Sequence, residues 1–303
     1  MEHRSDSEER PRPRSDSGHR RIPCTFEAAK DAKLDVVFLA TQPEVSMNLT
    51  PGFLEAGAKV IDLSGAYRLR TPENYKRWYK ADHEQSALLA EAAYGLPEFY
   101  REQIKSARLV SNPGCYPTAA NLAIRPLIQA GLVDRAAGIV CDAKSGVSGA
   151  GRKPSLKTSF CEVTENFSVY SILDHRHVPE VLQNSNLEEA EFSFTAHLLP
   201  IERGILETIY FRAAKDSSAA EIINTYEKFY QGSPFVRLYD PGVVPDLHAV
   251  QHTNFCDIGV KYDAATRRAV VVSLIDNLVK GAAGQAVQNM NLVLGFAEHE
   301  GLL

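Results

Sequence analysis

The chain has 303 residues, 44% of them apolar, and a formal net charge of −5. That is length enough for two ordinary domains with buried cores. It holds no apolar run near the ~20 residues that a spanning helix needs, and its acidic balance argues against a general nucleic-acid binder, which requires a basic face.

Residues 1–21 carry six arginines, five acidic residues and two prolines, and Met1 is their only apolar side chain. Such a segment cannot bury enough surface to offset its ordering entropy, so a disordered leader is expected. It has neither the apolar centre of a secretory signal nor the acid-poor composition of a transit peptide. Folded structure is expected from Ile22 onward. Leu34–Ala40 is a short apolar run, read as a strand buried on both faces of a parallel sheet. Glu44–Gly57 follows as a helix broken at Pro51 and stopped by Gly57. Lys59–Leu63 is the next strand, and Thr71-Pro72 opens a helix through Trp78. Leu109–Ser111 is a third strand, followed by the segment Asn112–Pro117 and then a helix to about Ala130. Gly138–Lys144 is read as a fourth strand of the same layer. Strands alternating with helices predict an α/β domain.

After Ser145 the pattern changes. Phe192–Leu199, Ile205–Arg212, Asn254–Val260 and Arg268–Ile275 read as strands, with a hairpin connection over Lys261–Thr266 and one helix near Ser218–Tyr230. This predicts an α+β unit with an antiparallel sheet. Gly281–Phe296 closes the chain as a helix. The expected division is a leader over 1–21, a dinucleotide-binding unit over 22–145 plus 277–303, and a substrate and dimerisation unit over 146–276.

Five cysteines, odd in number and widely spaced (Cys24, Cys115, Cys141, Cys161 and Cys256), give no disulfide framework or zinc ribbon and fit a reducing, cytoplasmic setting. Cys115 stands out, between a strand end and a helix start. Amides at a helix N-terminus stabilise a thiolate and can also donate to an oxyanion, so Cys115 is either a nucleophile or a buried inert thiol. In Asp174–Glu180 (DHRHVPE), His175 and His177 stand two apart, which does not suit a metal pair on one helical face. In an extended segment they would share one side, as a general base beside a cysteine or as part of a solvated loop. Lys144–Arg152 is glycine-rich, suited to cradling an anion or to hinging. Ser64 and Arg68 follow a strand end, where ligands sit in open α/β sheets. Arg68 is a candidate for a phosphate or carboxylate, or a surface ion pair.

Eight segments together resemble N-acetyl-gamma-glutamyl-phosphate reductases: Asp62–Arg68 (DLSGAYR), Tyr94–Glu98 (YGLPE), Ser111–Thr118 (SNPGCYPT), Asp142–Arg152 (DAKSGVSGAGR), His175–Glu180 (HRHVPE), Arg203–Leu206 (RGIL), Asn254–Val260 (NFCDIGV) and Asp276–Asn291 (DNLVKGAAGQAVQNMN). They run in family order across about residues 26–300. The resemblance implies a glyceraldehyde-3-phosphate dehydrogenase-like α/β fold: a Rossmann-like NADP-binding domain with an inserted α+β catalytic and dimerisation domain. It implies a homo-oligomer, NADP(H) as cofactor and no metal. The reaction it implies is reduction of an acyl phosphate, N-acetyl-L-glutamyl 5-phosphate, to the semialdehyde in arginine biosynthesis. By the same resemblance Cys115 is the nucleophile and His175, in preference to His177, the acid/base. Asn112 then helps hold the oxyanion. Ser64, Arg68, Arg152 and His177 face substrate, and Ser145, Gly146, Asn277, Lys280, Gly281 and Ala283 lie by the cofactor. Alternatives are the same chemistry on an aminoadipyl or aspartyl phosphate, or a non-catalytic remnant. The family's glycine-rich Gly-x-x-Gly-Tyr-x-Gly loop has no counterpart before Leu34. The dinucleotide unit is therefore expected to be incomplete, through a start chosen too far downstream or a shortened chain.

Overall fold

The computed structural model describes residues 25–151 and 153–303. The expected leader and Arg152 lie outside the described residues. The first layer takes its elements in the order α1 (Phe26–Asp31), β1 (Val36–Leu39), α2 (Pro43–Glu55), β2 (Lys59–Asp62), α3 (Pro72–Tyr79), α4 (Ser86–Glu91), β3 (Ala93–Tyr94), α5 (Pro97–Ser106) and β4 (Leu109–Ser111). The strands form a parallel sheet ordered β1-β2-β4-β3. Thr71 caps α3 by accepting from the Asn74 amide, with Pro72 at the first helical position.

Two expectations fail here. β1 is not buried on both faces, since Phe38 is 42% exposed and Val36 and Val37 are half-buried. β1 is an end strand among the described residues, so only one of its edges is paired. Nor does Pro51 break α2, which continues to Glu55. One lost ladder bond is outweighed by burial of Met47, Phe53 and Leu54 on the same helix.

The second layer comprises α6 (Cys115–Gln129), β5 (Ile139–Gly146), α7 (Phe160–Val163), β6 (Ser168–Tyr170), α8 (Val178–Ser185), β7 (Phe192–Leu199), β8 (Ile205–Arg212), α9 (Ala219–Phe229), β9 (Val236–Leu238), β10 (Cys256–Asp263) and β11 (Arg268–Ile275). A π-helical turn, Val279–Ala283, then leads into α10 (Gly284–Leu294), in place of one helix from Gly281. The seven strands run β6-β7-β5-β8-β11-β10-β9. This sheet is mixed rather than antiparallel, because β5 pairs parallel with β7 and β9 parallel with β10.

The expected division after Ser145 does not follow the sheets. The fourth strand, expected over Gly138–Lys144 in the first layer, runs Ile139–Gly146 and pairs on both sides within the second, with Val140 opposite Ser193 and Tyr210. Its alternation of buried and exposed residues matches that position. Tyr116, Leu122, Ile124 and Leu127 of α6 join a core with Ile139, Phe194, Ile209 and Val271 on one face of this sheet. α10 returns to the first layer, where Ala286, Leu292 and Val293 pack with Ile61, Ile104 and Val110. The chain thus crosses between layers twice, at Asn112–Cys115 and at Asp276–Gly284, and the two crossings meet.

Candidate active site

At the first crossing, β4 ends and Gly114 caps α6 with extended backbone, so Cys115 is the first helical residue. Gly281 of the second crossing lies directly on it: a Cβ there would sit 2.8 Å from Cys115 Cβ. Burial pushes the Cys115 thiol up to about 11, and a hydrogen bond from the Tyr116 amide and the nearby Arg68 charge pull it down without offsetting that. The resting group is therefore a thiol. The helix-terminus stabilisation expected from sequence is present but outweighed.

Cys115, Tyr116, Ser145, Tyr170, His175 and His177 line one cavity of about 490 Å³. The histidines do not lie in an extended or solvated segment. They occupy a turn before α8, buried at 6% and 7% exposure, with ring centroids 4.9 Å apart. The His177 amide donates to His175 Nδ1 at 3.2 Å, which places the proton of neutral His175 on Nε2. Burial, with Arg176 beside it, holds His175 down to about 4. Burial also holds His177 well below its ordinary value, helped by His175 and Arg68. His177 Nε2 faces the Arg68 guanidinium at 3.5 Å, and its Nδ1 is buried without a partner among the described residues. Of the two rings, His175 has the nitrogen available for proton exchange with the cavity.

Arg68 does not stand free for an anion. Its Nε donates to Asn112 O (2.9 Å), one terminal nitrogen to Leu63 O (2.9 Å) and the other to Glu180 Oε1 (3.4 Å). Glu180, fully buried on α8, is the residue that sequence reasoning passed over. Its Oε2 accepts from Tyr94 OH at 2.9 Å and from the Gly114 amide at 3.0 Å. The proline before it and its place in the first helical turn mark a helix start, but nothing local reveals three partners so distant in sequence.

Several other expected contacts are engaged elsewhere. The Ser64 hydroxyl donates to Asp62 and accepts from the Ala66 amide, closing a turn. Asn112 Nδ2 donates to Ala282 O and its Oδ1 accepts from Asn289, tying β4 to the π turn rather than facing the cavity. Ser145 donates to Gly146 O, and the Gly146 amide pairs with Gly204 O; a Cβ at Gly146 would meet Glu202 O at 2.7 Å. Asn277 bridges the Gly204 amide and the Ser148 hydroxyl. Lys280 is fully buried, its ammonium engaged by Glu98 and Gln288. Ala283 is exposed.

Residues 9–107 match the semialdehyde dehydrogenase NAD binding domain, and residues 115–277 the semialdehyde dehydrogenase dimerisation domain. The N-acetyl-gamma-glutamyl-phosphate reductase of Symbiobacterium thermophilum is 50% identical over 276 residues, covering 90% of this chain and 79% of that protein. The chain belongs to the N-acetyl-gamma-glutamyl-phosphate reductase family. The Geobacillus stearothermophilus reductase is 49% identical, covering 89% of this chain and 79% of its own length. Aspartate semialdehyde dehydrogenase II from Vibrio cholerae shares the fold, with a TM-score of 0.66 at 18% identity over 86% of this chain and 79% of that one. This reductase-family chain is thus an oxidoreductase with a nicotinamide-cofactor domain and a dimerisation domain. Among its described residues no helix is long and apolar enough to cross a membrane.

Proposed function

We propose that the chain reduces N-acetyl-L-glutamyl 5-phosphate to N-acetyl-L-glutamate 5-semialdehyde and phosphate, with NADPH, in cytoplasmic L-arginine biosynthesis. The observation that carries this reading is that Cys115, at the start of a helix, and His175 line one cavity. The first sheet with α10 serves the cofactor, and the seven-stranded sheet holds the substrate.

The described residues fit the nicotinamide end of the cofactor. The carboxyl ends of β2 and β4 lead to the Cys115 crossing, Gly281 adds no side chain beside the thiol, and Ala283 is exposed. When bound, NADPH supplies the hydride.

Cys115 Sγ attacks the acyl carbon while the carbonyl oxygen accepts from His175 Nε2–H and the first amides of α6. The C–O bond to phosphate breaks, and the thiol proton leaves with the phosphate. With the thiol near 11 and His175 near 4, no thiolate–imidazolium pair stands ready, so this proton moves during attack. After the thioester carbon has been reduced, one proton from water passes by way of His175 to the sulfur as the aldehyde departs. Since Arg68 is engaged with Glu180, the cations that line the cavity among the described residues, Lys157 and Arg176, are the ones assigned to the substrate's anionic groups.

The test is NADPH oxidation with N-acetylglutamyl, N-acetyl-aminoadipyl and aspartyl phosphates in parallel. Turnover with the first, abolished in Cys115→Ser, is expected. Turnover only with another acyl phosphate, or full activity in Cys115→Ser, overturns the reading.

A further inference from the structure

We propose that the buried Lys280–Glu98 pair is a lock that holds the π turn against Cys115, making Lys280 a positioning residue for the nucleophile. The turn closes with two bonds spanning five residues, Gly281 N to Asp276 O and Ala283 N to Leu278 O, both 2.9 Å. Such a turn is wider than an α-helix, is rare, and marks functional sites. It persists only where its surroundings prevent relaxation to the ordinary helical register. Here it presents Gly281 to Cys115 at a distance that leaves no room for a methyl group.

The surroundings are specific. Lys280 Nζ, between Asp276 and α10, donates to Glu98 Oε1 and Gln288 Oε1, each at 2.7 Å, and lies 5.6 Å from the Phe235 ring. Gln288 Nε2 donates to the same Glu98 oxygen at 3.2 Å and to Glu298 at 2.8 Å. Glu298 in turn pairs with Arg101. Both Lys280 and Glu98 side chains are fully buried. A charge pair with no exposure is a weak source of net stability, but a long lysine with one allowed geometry fixes register. Moving the turn by one residue would carry the ammonium off its two acceptors. Asn112, donating to Ala282 O, ties the far side of the turn to β4. Lys280 thereby sets where Gly281 stands and how closed the wall beside the thiol is.

The inference rests on Cys115 being the reacting thiol, and its test separates the two. In the full chain, Lys280→Met and Glu98→Met are made singly and together, with melting temperature, kcat and Cys115 alkylation by iodoacetamide measured across pH. The single variants should melt lower, each leaving one buried charge alone. The double variant should recover most of the melting temperature while kcat stays about tenfold or more down and the alkylation profile stays shifted. Recovery of melting temperature, kcat and alkylation profile together overturns the lock, because the pair is then structural only. Alkylation needs no substrate: a shifted thiol profile in a chain whose parent reduces no acyl phosphate supports the lock and sinks the proposed function. Where the double variant does not fold, Lys280→Arg keeps the charge but is longer and planar, so it cannot hold the same register on the two acceptors, and an unchanged alkylation profile there overturns the lock.

Discussion

The Gly114 amide donates to Glu180 Oε2 at 3.0 Å, so the cap of the Cys115 helix is fastened to a carboxylate 66 residues further along the chain. The other Glu180 oxygen meets Arg68, which in turn grips the carbonyls of Leu63 and Asn112. One buried acid thereby ties together the ends of β2 and β4, the start of α6 and the start of α8. Glu180→Ala leaves the Arg68 guanidinium buried without its anion, which should cost about 3–5 kcal/mol of stability. Tyr94→Phe removes one hydrogen bond to the same oxygen and should cost about 1–3 kcal/mol. Urea unfolding measures both, and unchanged midpoints would show that the carboxylate holds nothing.

The thiol near 11 makes the resting protein slow to alkylate. Since only the thiolate reacts, the Cys115 rate with iodoacetamide should climb roughly tenfold per pH unit from pH 7 and reach no plateau below pH 10. The reaction is followed on the Cys115 peptide by mass, because Cys161 is exposed. A plateau already reached at pH 7 would mean that the amides of α6, not burial, dominate.

Much of the second layer was legible because its strands alternate cleanly. Residues 192–199, 205–212 and 268–275 are strands within the bounds expected from pattern alone. Residues 80–108 were not legible, for physical reasons: β3 is two residues long, α4 six, and neither α4 nor α5 has a side-chain cap to announce it. β5 was visible as a strand but its sheet was not, since pairing with Phe192 and Tyr210 is a long-range fact. The site divides in the same way. Cys115, His175 and His177 were readable as chemistry-bearing side chains. That Arg68, Asn112 and Lys280 are engaged by Glu180, Ala282 and Glu98 depends on partners more than 100 residues away.

The two histidines predict acid sensitivity. Both are depressed in the folded state, so between an unfolded value near 6.5 and their folded values the unfolded chain binds the extra protons. Their contribution is complete above about pH 6.5 and is lost as pH falls, for His175 toward about 4. At pH 5 the His175 term should cost about 2 kcal/mol relative to neutral pH, and His177 adds a loss of the same sign. His175→Gln should remove its own share of the loss, seen as a smaller drop in urea midpoint between pH 7 and pH 5. An equal drop in the variant would place the titration elsewhere.

Lys157 and Arg176 are assigned to binding, not to bond making. Removing contacts that ground state and transition state share raises KM and leaves kcat unchanged. Lys157→Gln and Arg176→Gln should each raise KM for the acyl phosphate about tenfold or more, from loss of one charge-assisted contact. A fall in kcat at constant KM would move either residue out of the binding role. Arg68→Lys serves as the contrast: a single ammonium cannot reproduce the guanidinium's bonds to Asn112, Leu63 and Glu180, so it should lower stability rather than weaken binding alone.

The outer face of the seven-stranded sheet lies opposite α6 and carries a row of apolar side chains: Val140, Tyr210 and Val270 stand side by side across β5, β8 and β11. Val140 and Tyr210 remain 46% and 44% exposed. Alternation leaves this face open along β5, β7, β8 and the first half of β11, and the stretch matches a dimerisation domain. An apolar row on an open sheet face is stabilised by burial against a second copy. Tyr210→Asp places a charge at its centre, where pairing across a two-fold would bring like charges together. The variant should move toward monomer at micromolar concentration by light scattering, with its melting temperature becoming less dependent on protein concentration. Unchanged mass in Tyr210→Asp would mean that the copies meet on another surface.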